Sequence, residues 1–363
     1  ASARMIGQIF NWAMTLFVMR LLQPEDYGLM ALVTAIVGFL QAMTSTGLGA
    51  ALVQARDLDE TAQRQAFGLA LASNGALMVL LCLAAPPLAA FYALPGLVPL
   101  LYAASLSFVP IAISTVPQAM LERALGLKIT SRIDAGSGIV GGLVVLGMAL
   151  GGQGVWSLLV GMLTAQFLRA AGMFAAAPFR KAPLFSLRGM RRLVVFGLWR
   201  TGDHLVWFLS SQIDVFVAGR LLGPEALGVY VVARTVAALP VSKIALVVSP
   251  VAFSAFARLQ EDRQRAYAYL VNGSRLMAVV SIPVFFGIAA VAPEFVPLVL
   301  GARWTAAALP LAILAAGLVL RPVSILLPSF VSGLGEARYQ FLNSLMGLGL
   351  FTVIVGHATF CIV

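Results

Sequence analysis

The residues in this sequence most capable of chemistry are charges set inside apolar runs. Arg200, Asp203, His204 and Asp214 share one run, Arg234 and Lys243 the next, Arg275 the one after, and Arg321 a fourth. Steps of four, three, four and three connect Arg200, His204, Trp207, Ser211 and Asp214. On a helix those steps share one face over roughly 20 Å. Each charge at the centre of a bilayer costs about 3 kcal/mol on insertion scales, so Arg234, Lys243 and Arg321 together approach the ~5 to 15 kcal/mol that holds a whole domain folded. Such groups need water or an anion. Arg200, Arg234, Lys243 and Arg321 are therefore the candidate binding cations, and Asp203, His204 and Asp214 are candidates for holding a proton or another cation. Arg169, Arg275 and Arg200 also lie near the ends of their runs, where snorkelling or a structural ion pair accounts for them. Lys243 is nine residues from Arg234, on the opposite side of a straight helix, and Pro240 between them is placed to bend it. The first half offers only Arg169 and amides such as Gln8, Asn11, Gln41 and Gln118.

These residues need elements that cross a membrane. The chain is 61% hydrophobic and 10% charged, whereas soluble proteins carry roughly a quarter charged residues. Apolar stretches follow one another with short polar or Pro/Gly turns, the pattern of packed spanning helices and not of an alternating barrel. The expected spans are 4–21, 28–53, 66–92, 97–121, 130–150, 153–177, 193–219, 227–257, 268–300, 304–333 and 337 to the end, eleven in all. RLLQPEDYG (Arg20–Gly28) returns as RLLGPEALG (Arg220–Gly228) six spans later. Six is even, so both copies enter the membrane in the same direction and the halves are parallel repeats. Within the phrase, Pro24 and Pro224 suit a first helical turn, Glu25 and Glu225 meet its positive end, and Arg20 and Arg220 meet the negative end of the preceding helix. The fold class expected is all-α: a polytopic protein of two parallel-repeat bundles, six spans plus five of an expected six, around a central cavity. The expected divisions are 1–177 for the first lobe, 178–192 for a basic connector and 193–363 for the second, truncated lobe.

Charge placement sets an expected orientation. Loops after even-numbered spans hold fourteen Lys and Arg, against Arg20, Arg220 and Arg303 after odd ones. Cytoplasmic loops collect cations, which puts the N-terminus inside. This bias accounts for most of the +10 net charge, with no call for nucleic acid. The connector PFRKAPLFSLRGMRR (Pro178–Arg192) mixes Phe and Leu with five cations, which predicts an amphipathic segment on the anionic inner leaflet. The opening ASARMIG lacks an initiator Met and the chain stops inside an apolar run, so it reads as a fragment at both ends.

Several spellings carry no chemistry. GSGIVG (Gly136–Gly141) matches a dinucleotide fingerprint but has no preceding strand; close helix packing through Gly138 and Gly142, and Gly147 and Gly151, explains it better. Cys82 and Cys361 make no disulfide framework, and His204 and His357 are too few and too far apart for a metal site. No cofactor and no catalytic group is expected.

The stretches Arg20–Gln54, Gly151–Gly161 (GGQGVWSLLVG), Gln212–Arg234 (QIDVFVAGRLLGPEALGVYVVAR) and Gly301–Arg338 (GARWTAAALPLAILAAGLVLRPVSILLPSFVSGLGEAR), in this order and spacing, resemble the polysaccharide flippases of the multidrug/oligosaccharidyl-lipid/polysaccharide exporter superfamily. The resemblance implies two six-helix lobes that open alternately to each side of the bacterial inner membrane. It implies an undecaprenyl-diphosphate-linked oligosaccharide as substrate, contact with membrane lipids and with polysaccharide polymerase machinery, and a monomer. The cations of the second half would then hold the diphosphate. A cation-coupled multidrug exporter of the same superfamily is the nearest alternative, disfavoured because cations outnumber acids in these spans. A membrane-embedded glycan polymerase or ligase needs a sizeable external loop, for which PEDY, ALPG, GGQG and GPEA leave no room, so no enzymatic activity is expected.

Overall fold

The computed structural model describes residues 14, 16–44, 48–49, 52–53, 59–124, 126–177, 179, 181–186, 191–260 and 262–333. Two compact units, Ala1–Leu227 and Gly228–Val363, pack internally. Among the described residues of the first unit the helices are α1 (Pro24–Ala42), α2 (Glu60–Tyr92), α3 (Leu97–Ser105), α4 (Phe108–Arg123), α5 (Leu127–Leu150), α6 (Val155–Ala176) and α7 (Arg191–Leu221). Then follow α8 (Gly223–Arg258), α9 (Arg263–Phe295), α10 (Ala308–Gly317), α11 (Arg321–Ser324) and α12 (Leu326–Gly333). No strand occurs among the described residues. Among the described residues six segments are long and apolar enough to span a bilayer, seven if the bent pair Ala302–Gly317 and Arg321–Val331 is one span. The expected eleventh span lies outside the described residues, and of the first only its end is described.

Local chemistry explains where these helices begin. Pro24 opens α1 with Glu25 and Asp26 in its first turn, and the Gln23 N–H donates to Asp26 Oδ2 at 2.9 Å. Arg220 lies in the last turn of α7 and Glu225 in the first of α8, as the duplicated phrase requires. The Arg220 guanidinium also sits 5.5 Å from the centre of the Phe91 ring, a cation–π contact that the sequence does not announce. Gly154 has φ 52°, and a Cβ there would stand 2.8 Å from Asp26 Oδ1, so the GGQG turn and the first hairpin can meet only through glycine.

The duplication extends well beyond the phrase. Asp59 caps α2 by accepting from the Ala62 N–H at 2.8 Å, and Asp262 caps α9 by accepting from the Arg265 N–H at 3.0 Å. Both helices run 33 residues. Each is followed by a short helix that stops before a proline: α3 ends at Ser105 with Pro110 beyond, α10 ends at Gly317 with Pro322 beyond. A proline has no N–H, and its ring crowds the carbonyl four residues earlier. Those carbonyls belong to Leu106 and Leu318. They accept instead from the residue just before each proline, Val109 at 3.2 Å and Arg321 at 2.9 Å. The helix is thus interrupted at equivalent places in the fourth and tenth spans for one physical reason; Leu97–Arg123 still runs as one span, whereas the tenth bends by 45° at the interruption.

Three packing features add to the sequence reading. The compact units divide at Leu227, and α7 lies against α1: a Cβ on Gly38 would meet Phe208 Cζ at 2.8 Å, and one on Gly219 would meet Leu32 Cδ2 at 2.5 Å. The close approach of α5 and α6 runs through Gly141 and Gly161, where a Cβ on Gly141 would meet the Gly161 carbonyl at 2.9 Å. Among the described residues Gly138 and Gly147 have no neighbour within 4 Å, Gly142 touches only Met14 Cγ at 3.6 Å, and Gly151 meets only its own turn. The expected register is therefore corrected by the neighbouring helix, which α5 presents with a different face.

The third feature is the connector. Phe179 is 1% exposed in a core with Leu52, Ala66, Phe67, Val116 and Ala119, edge-on to Phe67 at 5.4 Å. Residues 181–186 run without helix along the start of α2. Leu184 N–H donates to the Arg64 carbonyl at 2.9 Å, Arg64 Nε donates to the Ala182 carbonyl at 3.0 Å, and Lys181 pairs with Glu60 at 2.7 Å. This stretch is a strap on the first unit, with Phe185 left 74% exposed.

Candidate functional site

Arg321 owes its place to the break. It opens α11, its side chain is exposed, and Ser324 Oγ donates to its carbonyl at 2.7 Å while Pro322 beside it is buried. Helices α10, α11 and α12 all pack on α9, which holds the broken span in register. Arg234 and Lys243 lie on α8, both half-buried. That helix continues through Pro240 without interruption, so the two cations keep the opposite bearings that nine residues give a regular helix.

The expected row on α7 is carried by one continuous helix. His204 stacks on Trp207 with ring centres 5.4 Å apart and planes 22° apart. Asp214 is half-buried, with Oδ1 shielded from solvent. The side chains of Arg200 and Asp203 lie outside the described residues. His204 and Asp214, ten residues apart, sit roughly 15 Å apart along the axis and do not form one pocket. Arg275 is exposed on α9, and Arg169 forms the structural ion pair that its position suggested, Nε to Asp134 Oδ1 at 2.8 Å.

The first unit holds polar chemistry that the search for charges missed. Gln41 Nε2 donates to Ser107 Oγ at 3.1 Å, Thr44 Oγ1 to Asn74 Oδ1 at 3.4 Å and Cys82 Sγ to Ser105 Oγ at 3.5 Å. Ser105 and Ser107 are 1% and 0% exposed. Neutral hydrogen bonds of this kind join spans within lipid, at about 0.6 kcal/mol each. Those to Ser107 and Ser105 fill the fourth-span break. Outside the spans, Lys181 holds the Glu60 carboxyl below the usual carboxylate range by its hydrogen bond and its charge.

The architecture defines the class first. Two solved structures share it at low sequence identity: "Lipid II flippase MurJ, inward closed conformation" (TM-score 0.77, 14% identical, 95% of this chain and 78% of that one) and an inward-facing multidrug resistance MATE family transporter of the MOP superfamily (TM-score 0.67, 17% identical, 93% and 83%). The chain thus shares the all-α fold of these two structures. By sequence it belongs to the family described as "Polysaccharide biosynthesis protein", whose model matches residues 17–309. Curated relatives include the teichuronic acid biosynthesis protein TuaB of Bacillus subtilis, 30% identical over 87% of this chain and 67% of its own length. The succinoglycan biosynthesis transport protein ExoT of Rhizobium meliloti is 27% identical over 89% and 65%, and the lipopolysaccharide biosynthesis protein WzxC of Escherichia coli 24% over 78% and 58%. The chain therefore spans about two-thirds or less of these relatives' lengths.

Proposed function

We propose that the protein carries lipid-linked oligosaccharide across the bacterial inner membrane by alternating access, as a transporter that makes and breaks no covalent bond. The observation that supports this reading most is Arg321, a cation held at a break inside an apolar span in a chain of this family. Interrupted helices at corresponding places in two repeats are what transporters use to build a substrate site. A guanidinium there can grip diphosphate oxygens in pairs. Arg234, Lys243 and Arg200 supply further positive charge, and Asp203, His204 and Asp214 are the candidates for coupling to a proton or another cation. The moving bodies in this reading are the repeats 1–177 and 193–363, with the N-terminus in the cytoplasm.

Two measurements test the proposal. Inverted membrane vesicles given fluorescent lipid-linked oligosaccharide should show protein-dependent translocation; vesicles with the protein that translocate no faster than vesicles without it would refute transport. Single cysteines placed by Ser186→Cys and Gly152→Cys should label from opposite sides of the membrane. Labelling from one side would refute the orientation and the span count together.

A further inference from the structure

A cleft of about 340 Å³ lies wholly within the first unit, between the face of α4 that carries Ser114, Gln118 and Glu122, the backbone at Gly49, and Arg169 of α6. Its size is within the about 300 to 1,000 Å³ of small-molecule sites. Ser114, Gln118 and Glu122 recur every fourth residue, so they share one side of the helix. Gln118 Nε2 donates to Glu122 Oε1 at 2.8 Å, and Arg169 Nε to Asp134 Oδ1 at 2.8 Å. These bonds fix the Gln118 amide and the Arg169 guanidinium in place. The other Arg169 nitrogens remain donors and the second Glu122 oxygen an acceptor. The hydroxyls of Ser114 and Thr115 donate to the Ile111 carbonyl at 3.3 and 2.8 Å, leaving their lone pairs to accept.

The charges decide the ligand class. One acid and one base face the cleft, the base already paired with Asp134, so an anion meets the bare Glu122 carboxylate and a cation meets the Arg169 guanidinium. A neutral molecule dense in hydroxyls, each able to donate and to accept, satisfies the whole lining. We infer that this cleft binds sugar residues of the glycan, separately from the cations of the second unit. The inference rests on the oligosaccharide transport proposed above. The cleft lies toward the end of the unit that carries Arg123 and the connector, the loading side in the proposed orientation.

Gly49 provides the probe, because a Cβ there has no described residue within 4 Å. Gly49→Cys is made with Cys82→Ser and Cys361→Ala in the full-length protein, and maleimide labelling is timed in detergent. The ligand added is the water-soluble repeat-unit oligosaccharide, released from its lipid by mild acid. It should slow labelling, and Gln118→Leu or Glu122→Ala should raise the half-protecting concentration about tenfold, the effect of one lost hydrogen bond. Unliganded labelling at the original rate in these variants shows that the cleft is still formed. No protection at millimolar oligosaccharide, or equal protection by inorganic pyrophosphate, overturns the inference. Protection without translocation in vesicles keeps the sugar site and removes the transport reading; translocation without protection does the reverse.

Discussion

The fourth and tenth spans break for the same reason and are finished in opposite ways. In the first, Ser105 and Ser107 are sealed among Gln41, Cys82 and the Tyr102 carbonyl by neutral hydrogen bonds. In the second, the residue before the proline is an exposed arginine where the first has Val109. Duplication supplied the interruption twice. One copy became a joint in the packing, and the other displays a charge. The difference teaches that a broken helix is an opportunity for a site, and that the side chains around it decide whether one is built.

The largest expected effect tests how firmly the sealed side is held. Phe179→Ala empties a fully buried position beside Phe67 and should destabilise the protein by about 3 to 5 kcal/mol, read as a drop in melting temperature in detergent. A small drop would mean that the strap contributes little. Ser107→Arg carries the cation of the second break into the first. It should cost about 3 kcal/mol or more and lower membrane abundance, whereas normal abundance would show that the two breaks are interchangeable.

Smaller changes sharpen the contrast. Ser107→Ala removes the acceptor of Gln41 Nε2 and should cost only about 0.6 kcal/mol, leaving transport intact; loss of transport at full stability would move function into the sealed break. The smallest effect is on the Lys181–Glu60 pair. The Glu60 carboxyl lies below its ordinary value of 4.5 in the folded protein. Its contribution is thus fully present above that ordinary value and is lost as pH falls through the lowered one. A fluorophore at Ser186→Cys should gain mobility only under those acid conditions, and gain at neutral pH would show that the pair does not hold the strap.

Much of this was legible in the residues. The phrase at Arg20 and Arg220, the apolar runs and the placement of Lys and Arg yield the helices and the repeat, because helix ends and lipid exposure are local properties. The paired breaks were hidden by register. Asp59 and Asp262 are 203 residues apart and Pro110 and Pro322 are 212 apart. Residues 93–96 link α2 to α3, whereas 296–307 form a π turn and a 3-10 helix before α10. Matching phrases at one fixed offset misses the equivalence. The glycines of α5 spelled several packing registers, and only the approach of α6 selects Gly141. Asp134 and Arg169 sit 35 residues apart on neighbouring helices, so spacing alone could not show that they meet. Phe179 stood among cations and looked like a membrane-surface residue until the core beside Phe67 received it.

The central claim is that the exposed cation at the tenth-span break grips the diphosphate, and an Arg321 series in proteoliposomes tests it most directly. At equal membrane abundance, Arg321→Lys should be slower than wild type, because a point charge replaces the planar fork. Arg321→Gln should be slower still, by about 10- to 100-fold for the loss of charged hydrogen bonds. Translocation of lipid-linked oligosaccharide at the wild-type rate by Arg321→Gln would contradict the account.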